Sequence, residues 1–403
     1  MQYLLILADG MADYNIAELG NMTPLQYAKT PNIDLLAANS MIGMVNTIPD
    51  GLKPGSDVAN LSVMGYDPGK SYSGRSSLEA VSMGVELGEC DLALRCNLVT
   101  LSDNAEFGDR IMADYSCGEI STEHAAVFIN ELQKVMGNTY FEFHAGISYR
   151  HLLVWKNGSD KKLILTPPHD VSDRVIAPYL PQGTDGAILL DMMKQSADIL
   201  SRHPLNKVRI EQGLKPATSA WFWGEGRKPS LQSFRDKYGL TGSVVTAVDL
   251  VRGLGISAGL TPIRVEGATG GVNTNFAGKA RAALDELKRG QDFVYVHIES
   301  PDEAGHQGSL ESKIWSIEQI DHQVFGEILR QIDNFAELRI MLLPDHPTPI
   351  SLKTHTSEPV PFMIYDNTQP MSNPHLVYNE SSAIAAGRFI ANGHELMDLF
   401  INS

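Results

Sequence analysis

The apolar residues of this chain fall into short unbroken runs that stop at acids. Tyr3–Ala8 is one such run, closed by Asp9 and Gly10. An apolar run of this length without alternation predicts a strand buried on both faces, with the acid at its C-terminal end. Asp292–His306 repeats the design, an apolar stretch followed by Glu299, Asp302 and His306, and Leu338–His346 repeats it again with Asp345 and His346 at the tip. Between these runs the period changes. Ile314–Ile332 carries apolar residues at Ile314, Ile317, Ile320 and Phe325, the spacing of an amphipathic helix. Pro31–Ala38 reads as a helix start, with Pro near the first position. Gly55-Ser56-Asp57 leads into a helix over Val58–Gly65, and Ser230–Gly239 has helical spacing. Ser219–Gly226 reads as a strand and turn, Ser243–Gly255 as a strand running into a helix, and Phe362–Asp366 as a further short strand. Alternating strands and helices predict an α/β fold, a mostly parallel sheet flanked by helices, which binds its ligands at the C-terminal ends of the strands.

The middle of the chain is patterned differently. Phe141–Lys156 alternates, and Leu165–Asp170 is a Pro-rich loop. These features predict a smaller α+β domain over 89–205, inserted into a core formed by 1–88 and 206–403.

Composition narrows the function. With 403 residues, 43% of them hydrophobic, the chain can bury sizeable cores. Its net charge of -16 argues against nucleic acid as a partner, since phosphate backbones require clustered Lys and Arg. An anionic substrate would therefore need local cations, either bound metal ions or a few inward basic side chains. Cys90, Cys96 and Cys117 form no CxxC pair, as expected of reduced thiols in a cytoplasmic protein. The first apolar run stops at Asp9, too soon for a signal sequence or a membrane span.

Three strand tips thus end in Asp9, in Asp302 with His306, and in Asp345 with His346, while His355 follows in a loop. Asp and His form the mixed oxygen and nitrogen donor set that suits Mn²⁺, Zn²⁺ or Mg²⁺. Asp302 and His306 are one helical turn apart, so a helix places both on one side. Taken singly, Asp9 is equally at home as a turn or capping residue and Ser56 as a helix N-cap. It is the recurrence of acids at three tips of one sheet edge that capping does not explain.

The segments Ala8–Asp13 (ADGMAD), Gly55–Pro68 (GSDVANLSVMGYDP), Glu299–His306 (ESPDEAGH), Leu342–Pro349 (LLPDHPTP) and Lys353–Phe362 (KTHTSEPVPF) resemble the archaeal-type cofactor-independent phosphoglycerate mutases, members of the alkaline phosphatase superfamily. The likeness extends through SYRHLLV, PPHD and WFWGEG in the middle of the chain, and a bacterial branch proposed as homoserine kinase has similar motifs. The resemblance implies an alkaline-phosphatase-like core and two divalent metal ions. It further implies that Ser56 is the nucleophile that becomes phosphoserine. Asp9, Ser56, Asp345 and His346 would hold one ion, and Asp302, His306 and His355 the other. The implied reaction is the interconversion of 3-phosphoglycerate and 2-phosphoglycerate. The alternatives are a homoserine kinase or other small-alcohol phosphotransferase, a phosphatase, or a non-catalytic metal- and phosphate-binding protein. A nucleotide donor finds no P-loop or kinase-type Gly-rich loop in the sequence.

A mutase must also exclude water from its phosphoserine, and the inserted domain is the expected substrate-binding lid. Its candidates for gripping a small phosphorylated anion are Arg150, His151, His169 and Asp170, joined by Arg75 and Lys279 from the core. Around Arg75 the sequence Ser-Gly-Arg-Ser-Ser departs from the Thr-Gly-Arg-Gly-Pro form associated with the family. Trp221 and Trp223 read as core packing.

Overall fold

The computed structural model describes residues 1–104, 106–158 and 163–402. Its strands in chain order are β1 (Gln2–Ala8), β2 (Ser40–Val45), β3 (Leu92–Leu101), β4 (Met112–Asp114), β5 (Phe141–His144), β6 (Arg150–Trp155), β7 (Ser219–Arg227), β8 (Gly242–Val245), β9 (Thr261–Ile263), β10 (Phe293–Ile298), β11 (Leu338–Leu343), β12 (Val360–Asp366) and β13 (Phe389–Ile390). The chain divides into two compact units, Met1–Tyr72 with Ser230–Ser403, and Ser73–Pro229.

The larger unit is built on an eight-stranded sheet in the order β13-β2-β12-β11-β1-β10-β8-β9. The expected parallel architecture holds on both sides of β1, which pairs in parallel with β10 and β11. One strand breaks the rule: β12 runs antiparallel to both β11 and β2. The reversal has a topological reason. The chain leaves β11 at the C-terminal edge of the sheet and re-enters β12 from that same edge, so the intervening loop with His355 stays there. Leu4, Ile6, Val294, Val296, Ile340 and Leu342 from the three central strands pack in one core with helix residues such as Leu284 and Ile317.

The smaller unit carries the sheet β4-β3-β6-β5, with β7 also paired to β3. This moves both expected joins. Ser219–Gly226 does not belong to the large sheet: β7 zips antiparallel onto β3 from Leu92↔Arg227 to Val99↔Ser219 and completes the inserted sheet. On one face of that sheet lies the helix Arg75–Ser82, whose Ala80 clusters with Leu87, Ala93, Leu152 and Val154. The inserted unit therefore spans 73–229 rather than 89–205, because its sheet and that covering helix need residues from outside the shorter span. Trp221 and Trp223 are buried in its core, as the sequence suggests.

Two helices differ in extent. Ser230–Gly239 is helical only over Phe234–Tyr238, capped by Ser233 and stopped by Gly239 in the left-handed conformation. The amphipathic stretch starts earlier, at Leu310, and widens into a π-helical segment at Ile320–Phe325. That segment presents Asp321, whose carboxylate accepts from Ile33 N at 2.7 Å and Asn32 Nδ2 at 2.9 Å. It thereby serves the start of the helix Pro31–Ala37, whose own N-cap, Thr30, makes no side-chain cap bond. Among the described residues no helix is long and apolar enough to cross a membrane.

Candidate active site

Parallel register brings the strand tips together. Leu7 of β1 lies opposite His297 of β10 and Leu343 of β11, so Asp9, Glu299 and Asp345 emerge at one edge. Asp302 and His306 share one face of the helix Ser300–Gln307, which follows β10. Two glycines allow that helix to sit so close. Gly10 has φ +61°, and a Cβ there would lie 2.6 Å from Asp302 Cα. A Cβ on Gly305 would lie 2.5 Å from the Thr348 carbonyl oxygen.

Asp9, Asp345 and His346 offer ligand atoms within 4.8 Å of one another, and Asp302, His346 and His355 do the same. His306 Nε2 sits 2.9 Å from His355 Nε2 and 3.2 Å from Asp302 Oδ2. Asp345 and His346, adjacent in sequence, both turn into the cluster because β11 has already ended at Leu343. A third group, Asp9, Glu299 and Asp302, also lies within 4.8 Å. Ser56 Oγ is 3.2 Å from His346 Nε2. Ser56 is the first residue of the helix Ser56–Val63, and Gly55 is its N-cap. The hydroxyl is thus not consumed in capping. Ser62, on the same helix, is fully buried and bonds no described residue through its hydroxyl.

The charges at this edge are unbalanced. Burial and the carboxylates of Asp345, Asp302 and Glu299 push the Asp9 pKa well up. Burial opposes ionisation of Asp302 as well, but hydrogen bonds and charge from His306 and His355 hold it well below the usual range. His306 loses solvation yet is raised to about 9 by Asp302. Burial lowers His346. Asp9 Oδ1 is buried with no hydrogen-bond partner among the described residues. A buried carboxylate oxygen left bare beside two further acids, and two imidazole nitrogens turned toward each other, are what a cation site requires.

Residues that the sequence patterns do not flag orient this cluster. Tyr295 O–H donates to Asn60 Oδ1 at 2.6 Å, and Asn60 Nδ2 donates to Asp345 Oδ2 at 3.0 Å. Asn60 lies one turn after Ser56, so one helix face carries the serine and a support for Asp345. Thr348 Oγ1 donates to Asp302 Oδ1 at 2.5 Å and lies 3.3 Å from His346 Nδ1. With its proton on the carboxylate, the hydroxyl must accept from Nδ1–H, which leaves His346 Nε2 bare toward Ser56. Lys313, fully buried, donates to Asp13 Oδ2 at 2.6 Å, to the Thr348 carbonyl at 2.8 Å and to the Ala12 carbonyl at 3.2 Å. Tyr295, Asn60 and Lys313 sit inside strands and helices, where sequence pattern reads them as packing, and Thr348 sits in the loop after β11.

The remaining candidates divide between the units. Lys279 belongs to the larger one and is buried, its ammonium bonded to the His297 carbonyl at 3.0 Å. Burial brings its pKa to about 8, against the opposing charge of Glu299. The other five lie in the smaller unit. There Glu79 Oε1 accepts from Arg75 at 3.1 Å and from Arg95 at 2.6 Å, and the Arg95 guanidinium lies 5.2 Å from the Trp223 ring. The His169 ring packs edge-on against Trp223 at 5.3 Å, and Arg150 lies over Tyr149 at 5.3 Å. Asp170 is exposed, 3.8 Å from His169. His151 is buried, its Nδ1 accepting from Gly146 N at 3.0 Å, and burial with the charges of Arg95 and Arg150 takes its pKa to about 3. Arg95, missed in the sequence because it lies within an apolar strand, is buried between Glu79 and Trp223.

Residues 37–206 match the family model of 2,3-bisphosphoglycerate-independent phosphoglycerate mutase. The chain is 48% identical over 402 residues to a probable 2,3-bisphosphoglycerate-independent phosphoglycerate mutase of Geobacter sulfurreducens, covering 100% of both chains. It is 45% identical over 404 residues to the 2,3-bisphosphoglycerate-independent phosphoglycerate mutase of Methanosarcina barkeri, again covering 100% of both. Among solved structures, a Pyrococcus horikoshii protein superimposes with a TM-score of 0.82 at 29% identity, over 100% of this chain and 96% of that one. The cofactor-independent phosphoglycerate mutase of Thermoplasma acidophilum does so with a TM-score of 0.63 at 25% identity, over 100% and 99%. With full-length relatives at this level of identity, the chain belongs to the family of 2,3-bisphosphoglycerate-independent phosphoglycerate mutases.

Proposed function

We propose that this chain interconverts 3-phosphoglycerate and 2-phosphoglycerate by passing the phosphoryl group through Ser56, with two divalent metal ions at the sheet edge. The observation that carries this reading is the placement of Ser56 Oγ at the head of a helix, 3.2 Å from His346 Nε2 and beside a buried Asp–His cluster. Asp9, Ser56, Asp345 and His346 would hold one ion, and Asp302, His306 and His355 the other. Mn²⁺, Zn²⁺ and Mg²⁺ all suit these donors. When bound, such ions supply Lewis acidity, lowering the serine pKa and neutralising phosphoryl oxygens.

The chain's own residues supply the rest. The helix beginning at Ser56 directs its N-terminal amides toward incoming phosphoryl oxygens. Thr348 and Asn60 hold His346 and Asp345 in place, so little reorganisation accompanies reaction. Ser56 Oγ forms a bond to phosphorus as the bond to the substrate oxygen breaks, and that oxygen takes up the proton the serine gives up. Return of the phosphoryl group to the neighbouring hydroxyl reverses these events. The inserted unit, with Arg75 and Arg150, supplies cations for the carboxylate of the substrate and acts as the lid. The kinase alternative is not retained, because the full-length relatives carry the mutase name.

Ser56→Ala tests this directly. Turnover of 3-phosphoglycerate should fall by a factor on the order of 10⁴ or more, as when other enzymes lose a nucleophile. Acid quench of the wild type during turnover should leave phosphate on the peptide that contains Ser56. Ser62→Ala should keep most activity. Normal turnover by Ser56→Ala would overturn the proposal.

A further inference from the structure

The tips of β8, β10 and β1 carry a row of hydrogen-bonded side chains of which the mutase chemistry as set out above uses only Asp9. Thr246 follows β8, His297 lies on β10, and Asp9 follows β1. His297 Nε2 is 2.9 Å from Asp9 Oδ2, and both side chains are 1% exposed. On the other side of the ring, His297 Nδ1 is 3.3 Å from Thr246 Oγ1, which itself accepts from Val248 N at 3.1 Å. Lys279 places its ammonium 3.0 Å from the carbonyl oxygen of the same histidine.

These contacts fix the ring. With Asp9 ionised, as a ligand to a cation must be, its Oδ2 only accepts, so His297 Nε2 carries the proton. Thr246 Oγ1 already accepts from Val248 N, so its own proton is directed to His297 Nδ1, which is bare. Asp9 Oδ2 is thereby engaged, while Oδ1 has no partner among the described residues.

We infer that His297, set in one tautomer by Thr246, is a positioning residue that holds Asp9 Oδ2 and presents Oδ1 alone to the cation. This rests on the two-ion reading above, but reaches beyond its ligands. A partner of this kind holds the ligand at its working angle and lowers the cost of organising the empty site. Its influence should be confined to the ion held by Asp9, since His297 makes no hydrogen bond or ion pair to Asp302, His306 or His355 among the described contacts.

The test uses the full chain stripped of metal and titrated with Mn²⁺ alone, followed by calorimetry and by the electron paramagnetic resonance of free Mn²⁺. The wild type should take up two ions. His297→Leu should weaken one of them by about 10- to 100-fold and leave the other unchanged. His297→Gln, whose amide can still donate to Asp9, should recover most of that loss. Thr246→Val, which keeps the shape and removes the hydroxyl, should weaken the same ion by a smaller factor. If His297→Leu does not fold, Thr246→Val and His297→Gln carry the comparison. Two ions bound with wild-type affinity in Thr246→Val and His297→Leu would overturn the inference while leaving the two-ion reading intact. Equal loss of both ions without recovery in His297→Gln would also overturn it, as the mark of a merely structural role. A wild type that takes up no Mn²⁺ would sink the two-ion reading as well.

Discussion

Replacing Lys313 with Met would remove a fully buried ammonium and little volume. The three protons of that ammonium are all in use, on Asp13 Oδ2, the Thr348 carbonyl and the Ala12 carbonyl. Asp13 would keep its bonds from Tyr14 N at 2.7 Å and Ile350 N at 3.2 Å, but its charge would be left without a counterion. Ala12 would still accept from Thr348 N at 3.2 Å, so its loss is small. Breaking one side of a buried pair costs about 3–5 kcal/mol, most of it from the stranded charge. Against a total of roughly 5–15 kcal/mol, that is a large fraction of a domain's stability. Adding Asp13→Asn removes the stranded charge, and the double variant should lie within about 2 kcal/mol of the wild type. The two units need not unfold together, so the measurement must report on the larger one. Hydrogen exchange of the peptide spanning Gln2–Ala8 does so, because β1 is its central strand. Protection there should fall by roughly two to three and a half decades in Lys313→Met and largely recover in the double variant. A single variant within about 1 kcal/mol of wild type, or a double variant no better than the single, would refute the stranded-charge argument.

Thr348→Val should weaken Mn²⁺ binding by about 10- to 100-fold, because His346 Nδ1 loses the acceptor that keeps Nε2 bare; Thr348→Ser should restore it, and calorimetric titration of both checks this. His151 should make the inserted unit acid-sensitive. Its folded pKa, brought to about 3 by burial and by Arg95 and Arg150, lies below the unfolded value of 6.5. As pH falls through 6.5 the unfolded chain binds a proton that the folded chain refuses, so stability present above that pH is lost progressively toward pH 3. Between pH 6.5 and 5 the loss is about 1.6 kcal/mol, and His151→Gln should remove that slope. Urea unfolding at both pH values, followed by the fluorescence of Trp155, Trp221 and Trp223, reads it; equal slopes in the two proteins would refute it.

What the sequence reveals of this molecule follows from where the signal lies. Unbroken apolar runs ending in acids mark β1, β10 and β11 because a strand buried on both faces has few other ways to be written. The helix carrying Asp302 and His306 is legible because its acid and imidazole are one turn apart. The reversal of β12 leaves no such trace, since a short apolar strand reads the same in either direction. The membership of β7 is hidden for a similar reason: SAWFWGEG is apolar enough for either sheet, and only its partner β3 decides. The supports of the site are the least visible. Tyr295 and His297 look like filler in an apolar run, and Asn60 like an ordinary helix residue. Their roles depend on neighbours more than two hundred positions away, Tyr295 and Asn60 being 235 apart and His297 and Asp9 288 apart.

Those separations also set a clock. Chains emerge from the ribosome at about 5–20 residues per second, N-terminus first. Asp9 must wait 288 residues for His297, and Gly10 waits 335 for Asp345, so β1 spends on the order of 15–60 s outside the tunnel before either flanking strand exists. The inserted unit is released whole in that interval and can fold around its own sheet. β1 cannot, and apart from Gln2 it is an apolar ribbon with both edges open, the kind of segment that recruits other strands. The central position that aims Asp9 at the cluster thus makes β1, synthesised well before both of its partners, one of the last strands to be satisfied. During that wait the newborn chain depends on whatever keeps an exposed hydrophobic strand apart from its neighbours.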